Sequence, residues 1–145
     1  MPAKYDMPRI GLGIIIVNDD GRVLIGKRKG SHAQFHSIPG GWYELGETFE
    51  EGAVREVKEE TNLEITDPKV IAVTNNLETF KSEGIHSISI VLLATQFSGG
   101  LKVMEPQKCE GWIWTDPRSL PMPHFDASQR AIACYLENIF YKKFE

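Results

Sequence analysis

The chain has 145 residues, of which 41% are hydrophobic and 25% charged, with a net charge of −4. That length predicts one domain, residues 1–145, with a proper core. The acidic balance, with no basic run longer than Lys27-Arg28-Lys29, argues against nucleic-acid polymers as partners. Two cysteines, Cys109 and Cys134, are too few for a disulfide framework. No stretch is long enough to span a membrane and the N-terminus lacks a signal-peptide core, so the expectation is a cytoplasmic protein.

Residues 1–8 carry two prolines and little pattern, and read as a loose arm. Residues 9–17 (RIGLGIIIV) form a β-branched run of strand length, and Asp19-Asp20-Gly21 is a hairpin turn signal leading to a return strand at 22–28. Alternation there puts Leu24, Gly26 and Arg28 on one face and Val23, Ile25 and Lys27 on the other. A polar loop with His32 and His36 follows, and the paired Gly40 and Gly41, which permit close backbone approach, lead into a short strand ending at Gly46. Thr48 and Glu51 make a T-x-x-E capping box, and the helix they start runs to about Thr61, with Asn62 as a left-handed stop. Strands are expected at 70–80, 85–97 and 110–115, the last with Glu110, Trp112 and Trp114 on one face, and residues 101–108 are irregular around Pro106. Asp126 with Gln129 signals a second N-cap, followed by the helical stripe Ile132, Tyr135, Leu136, Ile139 and Phe140. Strands, helix, strands, helix is an α+β pattern with a mixed sheet.

One feature of the first helix conflicts with ordinary packing. Phe49, Ala53, Glu56 and Glu60 share a stripe at spacings of four, three and four, yet two of the four are acids. Glu59 flanks them, so three carboxylates converge where like charges repel. A solvated acidic face would lie opposite the apolar stripe rather than on it. Carboxylates this dense suit a hard cation, Mg²⁺ or Mn²⁺, that takes oxygen ligands and bridges to phosphates.

The stretch from Gly41 to Leu63 resembles the signature of the Nudix (MutT-type) pyrophosphohydrolases, G-x5-E-x7-R-E-U-x-E-E-x-G-U with U aliphatic. Gly41, Glu47, Arg55, Glu56, Val57, Glu59, Glu60 and Leu63 fill its positions in order, and Asn62 stands where the signature has its last Gly. Further matching segments are Gly26-Lys27-Arg28-Lys29-Gly30-Ser31, Val73-Thr74-Asn75-Asn76 and residues 104–112. They resemble the branch that holds the human thiopurine-nucleotide diphosphatase and a small plant enzyme credited with oxidised-guanine nucleotides and prenyl diphosphates.

The resemblance implies an α/β/α sandwich around a mixed sheet and Mg²⁺-dependent hydrolysis of a diphosphate bond, with Mn²⁺ a second candidate. Nucleoside triphosphates, including oxidised or modified purine deoxynucleotides, are the implied substrates, and the products are the monophosphate and pyrophosphate. Rivals are another diphosphate, such as a sugar nucleotide, dinucleoside polyphosphate or prenyl diphosphate, and a non-catalytic nucleotide-binding module. A role in nucleotide-pool sanitation and a homodimer follow from the same branch. Glu56 and Glu60 are the first-choice metal ligands, with the backbone carbonyl of Gly41, or of Gly40, beside them. Glu59 is a third ligand, or holds a second metal or the water. The general base stays open between a signature Glu and one on a later loop, where Glu105 and Glu110 are candidates. Arg55 is expected to pair with Glu47 or another acid and fix the loop. Arg28 is either a phosphate contact or a solvated strand cation. Trp112, Trp114 and Phe125 are candidates to stack on a base. The branch commonly has an aromatic pair where this chain has Phe125-Asp126, so the base pocket is expected to be altered.

Overall fold

The computed structural model describes residues 2–30 and 32–144. Met1 of the N-terminal arm, Ser31 of the segment starting at Gly26, and Glu145 of the expected domain lie outside the described residues.

Strand β1 (Arg9–Ile16) is the axis of the fold. Its apolar run is continuous because helices cover both sides of its sheet. Leu12, Ile14 and Ile16 pack with Ala53 and Val57 of helix α1 (Phe49–Thr61). Ile15, with Val17 just beyond the strand, packs with Ala131 and Ile132 of helix α3 (Asp126–Glu137). The sheet between them has the order β4 (Gly40–Trp42), β1, β7 (Ser87–Ala94), β6 (Lys69–Asn76). Strands β1 and β7 run parallel over the full length of β1, and the other pairings are antiparallel. This is the expected mixed sheet in an α/β/α sandwich. A second, antiparallel sheet joins β3 (His36–Ser37), β2 (Val23–Arg28) and β9 (Cys109–Thr115), and β5 (Glu64–Thr66) pairs with β8 (Gln96–Ser98).

Several local expectations change. The turn at residues 18–22 forms, with Asn18 Oδ1 accepting from the amides of Asp20 and Arg22 at 3.0 Å. The strands around it nevertheless share only the bridge Val17–Val23, because β1 and β2 belong to different sheets. The strand expected over 70–80 stops at Asn76, whose buried amide donates to Ser87 Oγ and Ser89 Oγ at 3.0 and 2.8 Å. Helix α2 (Leu77–Glu83) follows and ends on Gly84 at φ 76°. The strand expected over 85–97 is two pieces, β7 and β8. The strand expected to reach Gly46 stops at Trp42, and residues 43–47 are a loop.

The N-terminal arm is exposed over residues 2–8 and meets the body at Lys4 and Tyr5. The Lys4 amide donates to the Gly84 carbonyl at 2.9 Å. The Arg9 guanidinium lies 4.7 Å from the Tyr5 ring centre and 4.1 Å from that of Trp42. Asp126 is the first residue of α3 and does not cap it: its Oδ1 accepts from Arg130 Nε, one turn on, at 2.7 Å.

Candidate active site

Helix α1 carries the acids, and its ends are built from local chemistry. Thr48 Oγ1 accepts from the Glu51 amide at 3.0 Å while Glu51 Oε1 accepts from the Thr48 amide at 2.8 Å, the reciprocal capping box. Asn62 closes the helix at φ 68°. Strand β4 lies across it, and two glycines make the approach possible. A Cβ on Gly41 would stand 2.5 Å from the Glu56 carboxylate, and one on Gly40 would collide with the Leu12 carbonyl. The Gly40 amide donates to Glu60 Oε2 at 3.0 Å, which ties the strand to the acid group.

Arg55 is the electrostatic centre of the loop. Its Nε and Nη2 donate to both oxygens of Glu47 at 3.0 and 2.7 Å, a bidentate fork. Its Nη1 lies 2.9 Å from Glu56 Oε1 and 3.4 Å from both Glu59 Oε2 and Glu44 Oε2. The hydrogen bonds from Arg55 hold the Glu47 carboxyl below its ordinary range. The same partners push Arg55 itself further up.

Glu56 and Glu60 are perturbed in the opposite sense. Burial pushes Glu56 up against the pull of Arg55. Burial, and then the neighbouring Glu56 charge, push Glu60 well up. Two carboxyls crowded in this way oppose each other's ionisation.

A cavity of about 630 Å³ opens in front of these acids. That volume suits one small molecule rather than a polymer. Glu56, Glu59, Glu60, Gly41 and Arg55 line one end. Arg28, Glu105 and Trp112 line the β2–β9 side. Trp112 lies against Gly26, where a Cβ would stand 2.7 Å from its ring. Phe125 also lines the cavity, its ring 4.8 Å from that of His32. Glu47 stands behind Arg55. Glu110 is turned aside into an exposed ion pair with Lys27 at 3.2 Å, so of the two later-loop acids only Glu105 faces the cavity. Asp126 does not face it either, since its carboxylate is bound to Arg130.

The lining residues that were not singled out in the sequence include Lys4, Tyr5, Thr79 and Glu83. The first two come from the N-terminal arm and the last two from α2. The signal for α2 was present in Gly84, a left-handed stop after a run with Glu78 in its first turn and Lys81 in its last. Glu83 accepts an ion pair from His32 Nδ1 at 2.9 Å, and burial nonetheless pulls His32 below its ordinary value.

The residues fit a divalent cation. Glu56 and Glu60 offer hard oxygen donors, crowded and partly desolvated, and the backbone at Gly41 comes as close to Glu56 as glycine alone allows. Among the described residues no three His, Cys, Asp or Glu side chains form a finished nest, because Glu59 is drawn to Arg55 and is half exposed.

Comparison with known proteins agrees with this geometry. The NUDIX domain model matches residues 7–135. The chain is 34% identical over 122 residues to the ADP-ribose pyrophosphatase of Methanocaldococcus jannaschii, covering 84% of this chain and 70% of that protein. It is 30% identical over 128 residues to the NAD-capped RNA hydrolase NudC of Photorhabdus laumondii, but spans only 47% of that protein's length. Among solved structures, the MutT NUDIX hydrolase from Burkholderia pseudomallei superposes with a TM-score of 0.81 at 32% identity, covering 88% of this chain and 98% of that one. The match along residues 7–135, joined to likeness of both sequence and fold, establishes that the chain belongs to the NUDIX domain family and is a hydrolase of the nucleotide-diphosphatase type.

Proposed function

We propose that the chain hydrolyses nucleoside triphosphates to the monophosphate and pyrophosphate, with Mg²⁺, or Mn²⁺ in its place, held by Glu56, Glu59, Glu60 and the backbone at Gly41. The observation that carries the reading is the Glu56–Glu60 pair, a buried and a half-buried carboxyl that crowd each other on the wall of a cavity sized for one nucleotide. When bound, the cation supplies charge neutralisation on the phosphates and lowers the pKa of a bound water. Arg55, held by Glu47, fixes the orientation of the acid group. Glu59 and Glu105 face the cavity and are the side chains available to take the proton of the attacking water. Arg28 approaches the phosphates from β2. The base lies between Trp112 and Phe125, and Thr79 and Glu83 bring polar groups to that end of the cavity. Oxidised or otherwise modified purines are the preferred class, which makes nucleotide-pool sanitation the biological role. Two copies associate through the C-terminal face, where Leu136, Ile139 and Phe140 stay 36%, 37% and 58% exposed.

A second reading has its own support. The M. jannaschii relative is an ADP-ribose pyrophosphatase, and hydrolysis of ADP-ribose to AMP and ribose 5-phosphate needs the same acid group. One assay separates them: products formed with Mg²⁺ from a panel of normal and oxidised nucleoside triphosphates, ADP-ribose, sugar nucleotides and prenyl diphosphates. Pyrophosphate release with the highest kcat/KM on a triphosphate supports the first reading. Preference for ADP-ribose replaces it with the second, and no turnover on any member rejects both.

A further inference from the structure

The last turn of α1 and the loop at 99–108 are joined by three consecutive residues. The Glu60 carbonyl accepts from the Met104 amide at 3.4 Å and the Thr61 carbonyl accepts from the Lys102 amide at 2.9 Å. The Asn62 side chain completes the series, its Nδ2 donating to the Gly100 carbonyl at 2.9 Å. Gly99, at φ 96°, passes so close that a Cβ there would stand 3.2 Å from the Asn62 carbonyl. The first two bonds satisfy carbonyls that any helix end leaves open. The third does not serve the helix at all. A left-handed stop at φ 68° is made at least cost by glycine, so the amide of Asn62 must be explained by what it holds.

What it holds is the segment that brings Glu105 to the cavity. Five residues beyond Gly100, the chain turns with the Glu105 carbonyl accepting from the amides of Lys108 and Cys109 at 2.8 and 3.0 Å. That turn brings Glu105 to the cavity that Glu60 also lines. The far end of the segment is held just beyond β2, where the Lys29 amide donates to the Lys108 carbonyl at 2.8 Å. The three bonds at the end of α1 hold its near end, on the side of Glu60.

We propose that Asn62 is a positioning residue, which holds the 99–108 loop so that Glu105 stands at the acid group and completes the environment of the cation. The proposal rests on the reading of Glu56 and Glu60 as cation ligands. Asn62→Gly keeps the left-handed backbone, and even relieves it, while deleting the donor. Asn62→Asp keeps the shape and also loses the donor, placing a carboxylate against the Gly100 carbonyl.

The test uses Mn²⁺ alone as probe, its dissociation constant read by electron paramagnetic resonance, with hydrogen exchange at the amides of Lys102 and Met104. In Asn62→Gly we expect a thermal midpoint equal to or above that of the wild type. We also expect faster exchange at both amides and a Mn²⁺ dissociation constant raised about three- to tenfold, the factor carried by one ordinary hydrogen bond. In a Glu105→Gln background the same substitution should change the constant by less than about twofold, since the side chain being positioned is gone. Faster exchange with unchanged Mn²⁺ affinity overturns the positioning role and leaves the hydrolase reading standing. An equal loss of affinity in both backgrounds overturns it too, because Asn62 would then act without Glu105. A wild-type protein that binds no Mn²⁺ overturns both.

Discussion

Helices α1 and α3 have nearly equal length, flank opposite sides of the same sheet, and both turn charge inward. On α3 the charge is settled within the helix: Arg130, 9% exposed, donates to Asp126 at 2.7 Å and to the Asn75 carbonyl at 3.0 Å, and stacks on the Phe144 ring at 4.6 Å. On α1 the buried charges have the same sign. Arg55 reaches Glu56, yet its two-pronged grip and its shortest bond go to Glu47, and Glu60 accepts from the Gly40 amide. A buried pair of opposite sign holds the fold together, and breaking it is costly. A buried pair of like sign opposes the fold until a cation joins it. The difference separates a structural helix from a functional one on electrostatic grounds alone.

The largest effect should come from removing one acid on α1. Glu60→Gln takes away a charge and a cation ligand together, a loss of several kcal/mol at the transition state. At about 1.4 kcal/mol per tenfold, turnover falls roughly a thousandfold. The metal-free melting temperature stays level or rises, because the repulsion with Glu56 is relieved. Near-normal product release at saturating Mg²⁺ would break the contrast at its functional end.

On α3 the outcome should invert. Arg130→Ala strands a buried carboxylate whose Oδ2 already has no protein partner, and should cost about 3 kcal/mol of stability in chemical denaturation. The folded fraction keeps its kcat/KM. Asp126→Trp, which on sequence grounds would restore an aromatic to the base pocket, falls under the same rule. It breaks the pair with Arg130, so it destabilises the protein and leaves the purine-to-pyrimidine ratio unchanged. A shift in that ratio without loss of stability would show that position 126 reads the base after all.

How far the sequence carried this contrast depends on how local each signal is. Helix α1 was legible to the residue because its ends are made by its own side chains, Thr48 with Glu51 at one end and Asn62 at the other. Its acids were legible as well, since they break a stripe whose period is local. The partners of those acids were not. That Glu105 faces the cavity while Glu110 pairs with Lys27 depends on a register shift between Lys27 and Arg28 on the neighbouring strand. The arm's contact with the body depends on Arg9 meeting Trp42, thirty-three positions on, and α2 was hidden because the apolar run before it ends at an asparagine whose partners lie on β7. Asp126 looked like a cap because the residue type suits one, and pairing with Arg130, one turn on in the same helix, took its carboxylate instead.

A milder substitution on α1 sharpens the comparison by keeping charge and changing shape. Arg55→Lys retains the cation but loses the two-pronged grip on Glu47. A charge-assisted hydrogen bond is worth about 1.5–3 kcal/mol, so kcat should fall about tenfold as the acid group loses its fixed orientation. KM and the folding free energy should move little. A fall in stability as large as that of Arg130→Ala would make Arg55 a second structural pair.

The smallest effect is the most direct reading of the like-charge pair. Glu60 has a folded pKa well above its ordinary value of 4.5, from burial first and the Glu56 charge second. For a group raised on folding, the stabilisation is complete below the unfolded pKa and is lost as pH rises through the folded one. The metal-free protein should therefore lose stability as pH climbs from about 4.5, and Glu56, also raised by burial, contributes in the same direction. The buried His124 works the other way, since burial lowers its pKa and its contribution is lost as pH falls below 6.5. The difference between wild type and Glu60→Gln removes that opposing slope, as His124 is common to both. Melting temperatures of the two metal-free proteins should converge at pH 4 and diverge with rising pH, the variant becoming the more stable. Saturating Mg²⁺ should flatten the wild-type curve, because ligation takes the carboxylates in their ionised form. Parallel curves for the two proteins across that range would mean that Glu60 carries no strain, and that α1 differs from α3 in sequence alone.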